Sequence, residues 1–228
     1  MGQIGAAEGG EWHLLRYLGQ HRGLLDRKFG EMFQAKSIRW LDCGFGSSPE
    51  EPDAAIAGAD FLPDNSAARQ TWRSIWPSNG YQVRWDAVAE LTTARGQEWL
   101  LIDSKAYLAE LQSHCPAKNW KNGLSSITDA LGRAQITVTA PLAADWLRGY
   151  FQFAGRLSAL NHLLSHKERA HLLLIYFCGD QDDVRRKCPR TPGEWGEAVA
   201  ARDRHLGLPA KHRLSGNIRS LFLDVCSR

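Results

Sequence analysis

The sequence has no C-x-x-C pair, no H-E-x-x-H, no G-x-S-x-G, and no glycine-rich phosphate loop or dinucleotide fingerprint. Zinc-site, serine-hydrolase and nucleotide-binding readings therefore have no motif to stand on. The five cysteines (Cys43, Cys115, Cys178, Cys188 and Cys226) are odd in number and scattered. That is the pattern of reduced thiols in a cytosol and not of a disulfide framework. No apolar run approaches the roughly 18 residues that a membrane helix needs. The opening MGQIGAAEGGEW has no apolar h-region, so we expect neither signal peptide nor membrane span, and a cytoplasmic protein. No internal repeat or low-complexity segment occurs. Charge of one sign is also missing: the formal balance of +3 permits a nucleic-acid partner without arguing for one.

What is present is core-forming material. Hydrophobic residues make up 43% of the chain, which carries nine tryptophans, enough for one substantial core. We expect a single domain over 1–228, with residues 1–10 loose. Leu14, Leu18, Leu25, Phe29 and Met32 fit one helical face between Trp12 and Phe33, although Gly19 and Gly23 weaken it. Ser37 to Cys43 reads as a strand, and Ser66 to Trp76 as a short helix stopped by Pro77. Leu124 to Thr139 reads as a helix. Ala144 to Ser165 is a second, with Trp146, Tyr150, Phe153, Leu157, Leu160 and Leu164 on its apolar stripe. His171 to Cys178 is a continuous apolar run, as expected of a strand paired in parallel and covered on both faces. Thr191-Pro192-Gly193-Glu194 is a capping box opening a helix to His205, and Ser220 to Val225 reads as a closing strand. The order predicts an α/β fold, a mixed sheet with helices on both faces.

The stretch Tyr81 to Ser113 carries the chemistry. It reads as two strands, Gln82 to Leu91 and Glu98 to Tyr107, joined by a six-residue loop. Alternation puts Trp99, Leu101, Asp103 and Lys105 on one face and Leu100, Ile102 and Ser104 on the other. With a symmetric loop, Asp86 lies opposite Asp103. Such pairs have Cβ atoms only about 4.5–5.5 Å apart, and like charges there repel. A divalent cation bridging the two carboxylates is the simplest compensation, since hard cations prefer oxygen ligands.

An Asp, a hairpin and then Asp-x-Lys at the end of a buried strand resembles the active site of the PD-(D/E)XK nuclease superfamily. The residues that carry the likeness are Trp76-Pro77-Ser78, Trp85-Asp86-Ala87-Val88 and Glu98-Trp99-Leu100-Leu101-Ile102-Asp103-Ser104-Lys105-Ala106. Asp103 stands where the acid is more often Glu. The resemblance implies a restriction-endonuclease-like αβββαβ core, extended here by the C-terminal helix and strand. It implies an Mg²⁺- or Mn²⁺-dependent phosphodiesterase acting on DNA and leaving a 5′-phosphate. Asp86, Asp103 and the Ser104 carbonyl would be the metal ligands. Lys105 would orient or deprotonate the attacking water, or stabilise the pentacovalent charge. The alternative is a nuclease-fold module that binds nucleic acid or a protein without turnover.

Other residues are weighed by position. Gln152 and Arg156, off the apolar stripe at i, i+4 spacing, are candidates for phosphate-backbone contact. Lys118 and Lys121 flanking Trp120 are candidates for tracking a strand by charge and stacking. Glu98 falls on the face opposite Asp103 and is expected to be solvated. Glu90 and Glu110 are expected to be mainly surface charges. Asp26 and Glu31 are the candidates for an acid on the first helix. Scattered thiols predict that a reducing agent leaves the melting temperature unchanged; a large destabilisation on reduction would contradict that pattern.

Overall fold

A computed structural model describes residues 9–41, 56–77, 81–117, 123–180 and 187–225. Two helices, α1 (Gly9–Gln20) and α2 (Arg22–Phe33), come first. They stand where a single apolar face over Trp12 to Phe33 was expected, and the chain breaks between them at His21. The strand β1 (Ser37–Trp40) and the helix α3 (Ala67–Ile75) follow. Cys43, the expected end of the first strand, lies outside the described residues. Ser66 caps α3, its hydroxyl accepting from the Arg69 amide at 3.4 Å.

The hairpin is β2 (Ala87–Thr93) and β3 (Gly96–Lys105). Its register, Ala87 with Ile102 through Thr93 with Gly96, has the symmetry expected from the sequence. The loop is tighter than six residues: Thr92 and Thr93 pair with Gln97 and Gly96, leaving Ala94 and Arg95 to turn. Gly96 sits at φ +105, a conformation open to glycine. The first strand starts later than expected. Residues 82–86 leave the sheet because Val83 and Trp85 are buried elsewhere. Trp85 is tied down twice, its amide donating to the Ile56 carbonyl at 3.0 Å and its indole to Gly58 at 2.8 Å. Asp86 therefore occupies the bend where this segment enters the sheet.

The helices α4 (Leu124–Val138) and α5 (Phe151–Ser165) lead to β4 (Ala170–Cys178), then α6 (Pro192–His205) and β5 (Ile218–Asp224). The helix α5 begins seven residues later than expected, since Gly149 adopts φ +77 and Trp146 is buried with its indole donating to the Leu206 carbonyl at 2.8 Å. The sheet runs β1-β2-β3-β4-β5, antiparallel across the first three strands and parallel from β3 to β5. Every residue of β4 is buried. Leu172, Leu174 and Tyr176 face a core completed by α3, α4, α5 and α6, and Leu173, Ile175 and Phe177 face one completed by α1 and α2. The fold is thus α/β, with a mixed sheet flanked by helices on both faces. No described helix is long and apolar enough to cross a membrane. Cys115, Cys178 and Cys188 are free thiols; burial pushes the Cys178 thiol up to about 11. Cys226, expected to be buried and inert like Cys178, lies outside the described residues.

The start of α1 rests on the end of β3. A Cβ on Gly10 would lie 2.3 Å from the Lys105 nitrogen and from the Ser104 carbonyl atoms, so only glycine permits this approach. Gly10→Ala should therefore lift α1 from the sheet and cost ~1–3 kcal/mol, as overpacking does. Gly19→Ala in the same helix meets no atom within 4 Å and should leave stability unchanged or raise it. Denaturant melts of both variants check the contact; equal stability would remove it.

Candidate active site

The end of the hairpin and one side chain from α5 make the site. Asp86 and Asp103 flank the last β2–β3 pair, Ala87 with Ile102, and so emerge at the same end of the sheet. The Asp86 Oδ2 accepts hydrogen bonds from the Ser104 amide and hydroxyl, both at 2.6 Å. The Lys105 Nζ donates to Asp103 Oδ1 at 2.6 Å and to the Ser104 carbonyl at 3.1 Å. From α5, an Arg156 terminal nitrogen lies 2.8 Å from the same Asp103 oxygen. The side chains of Asp103 and Arg156 are only 5% and 6% exposed. The compensation expected from a bridging cation is thus supplied, for Asp103, by two protein cations. Arg156 reaches the site from a buried position, because the helix that carries it packs directly on the sheet.

The two carboxylates are driven apart electrostatically. Burial raises the Asp86 pKa, and the neighbouring Asp103 charge adds to it against the opposing pull of Lys105, Arg156 and Ser104. Burial also acts upward on Asp103, but Arg156 and Lys105 outweigh it and hold that carboxyl below its usual range. Burial works against the Arg156 charge, and Asp103 and Asp86 more than restore it. Paired acids separated in this way are a recurring property of reactive sites.

Asp86, Lys105 and Arg156 face a cavity of about 520 Å³. Asp86, Ser104, Lys105, Gln152 and Arg156 line it, so five of the residues selected from sequence come together. Lys118, Trp120 and Lys121 lie outside the described residues. The cavity also takes Tyr81, Glu11 and Glu110, which sequence reasoning did not select as site residues. Burial raises the Tyr81 phenol. Glu11 is the acid that α1 brings to the site. Starting that helix at Trp12 left it just outside; the polar first turn after Gly9-Gly10 was the available signal. Asp26 instead accepts from the Trp40 indole at 2.7 Å, and Glu31 is exposed on α2.

The remaining acids are structural. Glu110 is no solvated loop residue: it accepts from the Gly10 amide at 3.2 Å and the Ala106 amide at 2.7 Å, fastening α1 to the exit of β3. Glu98 is 2% exposed and not solvated. It accepts from His171 at 2.7 Å, Thr93 at 2.8 Å and Arg95 at 2.9 Å. Burial presses its pKa upward, and those hydrogen bonds together hold it below normal. Glu90 is buried against its cross-strand neighbour Arg39.

A hard cation needs oxygen donors, and Asp86, Asp103 and the Ser104 carbonyl supply them at one end of the hairpin. Among the described residues no group of three or more acids, histidines or cysteines could enclose an ion. Two carboxylates and a carbonyl suit a cation such as Mg²⁺, which keeps several waters and takes substrate oxygens. No family model, curated protein or solved structure matches the chain.

The asymmetry between the carboxylates makes a stability prediction that replaces simple cross-strand repulsion. Asp103→Asn leaves Lys105 and Arg156 buried without their anion and should cost ~3–5 kcal/mol. Asp86→Asn removes a charge that burial disfavours, keeps an oxygen for Ser104, and should be neutral or stabilising at pH 7. With pH the signs also oppose. The Asp103 contribution is present above the usual carboxylate pKa and is lost as acid protonates it below that range. The Asp86 penalty grows as pH rises through its elevated pKa. Melts of both variants from pH 3 to 8 test this; equal losses at pH 7 would contradict it.

Proposed function

We propose that the protein is a metal-dependent nuclease of the PD-(D/E)XK type, hydrolysing phosphodiester bonds with DNA as its substrate. The observation that carries the reading is the convergence of Asp86, Asp103 and Lys105 on one end of the β2–β3 hairpin beside a polar cavity. The order of elements supports it. A helical start, three antiparallel strands with α3 inserted between the first two, a helical crossover and a parallel strand are compatible with the αβββαβ plan, with α6 and β5 as the extension. A cytoplasmic location suits such a substrate.

Asp86, Asp103 and the Ser104 carbonyl would hold the Mg²⁺ or Mn²⁺ ion. When bound, such a cation neutralises charge on the phosphoryl oxygens and makes a water acidic enough to attack. Lys105 is held by its bond to Asp103 at the cavity wall, where its ammonium would orient that water or stabilise the pentacovalent charge, or its neutral amine would take the water's proton. Arg156 and Gln152, one turn apart on α5, bind the phosphate oxygens and fix the diester in line. Glu11, which also lines the cavity, is the helix-borne acid.

One observation favours the second reading, a binding module without turnover: Asp103 is already paired with two cations. Incubation with plasmid, linear and single-stranded DNA and with RNA, in Mg²⁺, Mn²⁺ or EDTA, separates the two. Cleavage in Mg²⁺ or Mn²⁺ that is absent in EDTA supports the nuclease. It should fall by ~10²–10⁴ in Lys105→Ala, the range for a lost proton-transfer group. Glu98→Gln should keep most of the activity while lowering stability, because its partners are structural. Binding without cleavage in any metal would install the second reading.

A further inference from the structure

Arg156 occupies a position that a cation at Asp103 would contest. Its side chain is 6% exposed, and its ion partner is the Asp103 carboxylate oxygen 2.8 Å away. Its Nε is buried with no hydrogen-bond partner, so the guanidinium has donor capacity to spare. It also lines the cavity, whereas Asp103 does not. The α5 backbone has little room to slide, since a Cβ on Gly155 would already meet Val83 at 3.2 Å. Any rearrangement therefore falls to the side chain. Tyr81 and Tyr176, which also sense this charge cluster, are phenols raised by burial and offer no replacement anion.

Charge then dictates the partner. Asp86 and Asp103 together balance Lys105 and Arg156. A divalent cation alone would leave two positive charges uncompensated in a buried cluster and Arg156 without its anion, which is strongly unfavourable. A phosphate in the cavity supplies that anion, and a guanidinium takes phosphate oxygens in bidentate geometry. We propose that Arg156 couples the two ligands, holding Asp103 until a divalent cation takes that carboxylate and then passing to a phosphate oxygen. The inference rests on the nuclease reading and adds a mode of regulation to it: metal and phosphate bind together or weakly. By linkage each tightens the other by the same factor.

The test is calorimetric titration of the full chain with Mn²⁺, with and without thymidine 3′,5′-bisphosphate, which carries phosphates and no scissile diester. In wild type the bisphosphate should tighten Mn²⁺ by roughly tenfold or more, within the usual range of coupling between sites. In Arg156→Gln, Mn²⁺ alone should bind more tightly than in wild type, and the bisphosphate should add little. If that variant does not fold, Arg156→Lys keeps the charge but loses the planar fork, and its coupling should drop. A wild-type Mn²⁺ affinity indifferent to the bisphosphate overturns the proposal. So does a folded variant as strongly coupled as wild type, since the ion would then bridge without Arg156. A wild-type protein that binds Mn²⁺ in neither condition overturns the nuclease reading itself.

Discussion

Asp103 is a carboxylate on a strand whose neighbours are covered on both faces, and the architecture around it answers to that burial. A buried charge is tolerated only when paired and hydrogen-bonded. Here the pairing comes from two directions: Lys105, two residues along the same face of β3, and Arg156 from α5. The second partner ties the crossover helix to the strand end at a defined place. Gly10 and Glu110 fix α1 against the same strand end from the other side, through a backbone approach and a carboxylate cap. Three segments distant in sequence thus meet at Ser104 and Lys105.

The buried and half-buried acids around the hairpin fall into two kinds. Glu98, Glu90 and Glu110 are satisfied by partners that complete a turn, a strand pair and a helix start. Each answers a structural need. Asp86 and Asp103 differ because they share one cluster with Lys105 and Arg156 and are pushed in opposite directions. Burial alone would not have separated these kinds, since Glu98 is more deeply buried than Asp103. What separates them is that two carboxylates here share the same two cations, Lys105 and Arg156.

Much of the element order was legible from the chain. The apolar run of β4, the capping box of α6 and the Ser66 start of α3 are local signals, set by side-chain period and by orphan backbone groups near one another in sequence. The symmetric register of β2 and β3 was legible for the same reason, because a hairpin's pairing follows from its own turn. That register brought Asp86 and Asp103 to the same strand end, with Lys105 following from alternation.

The rest was decided by contacts between distant segments. The shortened β2 follows from Trp85 anchoring to Ile56 and Gly58, and the late start of α5 from Trp146 reaching Leu206. Neither partner lies within the window that periodicity surveys. Glu98 looked solvated because alternation says which face a side chain takes, not whether a histidine from another strand waits there. Glu11 entered the site only when α1 docked, and Arg156 became an ion partner only when α5 crossed the sheet. The sequence by itself determined which residues could carry charge and which strand end they would share, since those depend on local geometry. Tertiary packing decided which charges meet, because the cost of burying a charge is settled only by what is brought alongside it.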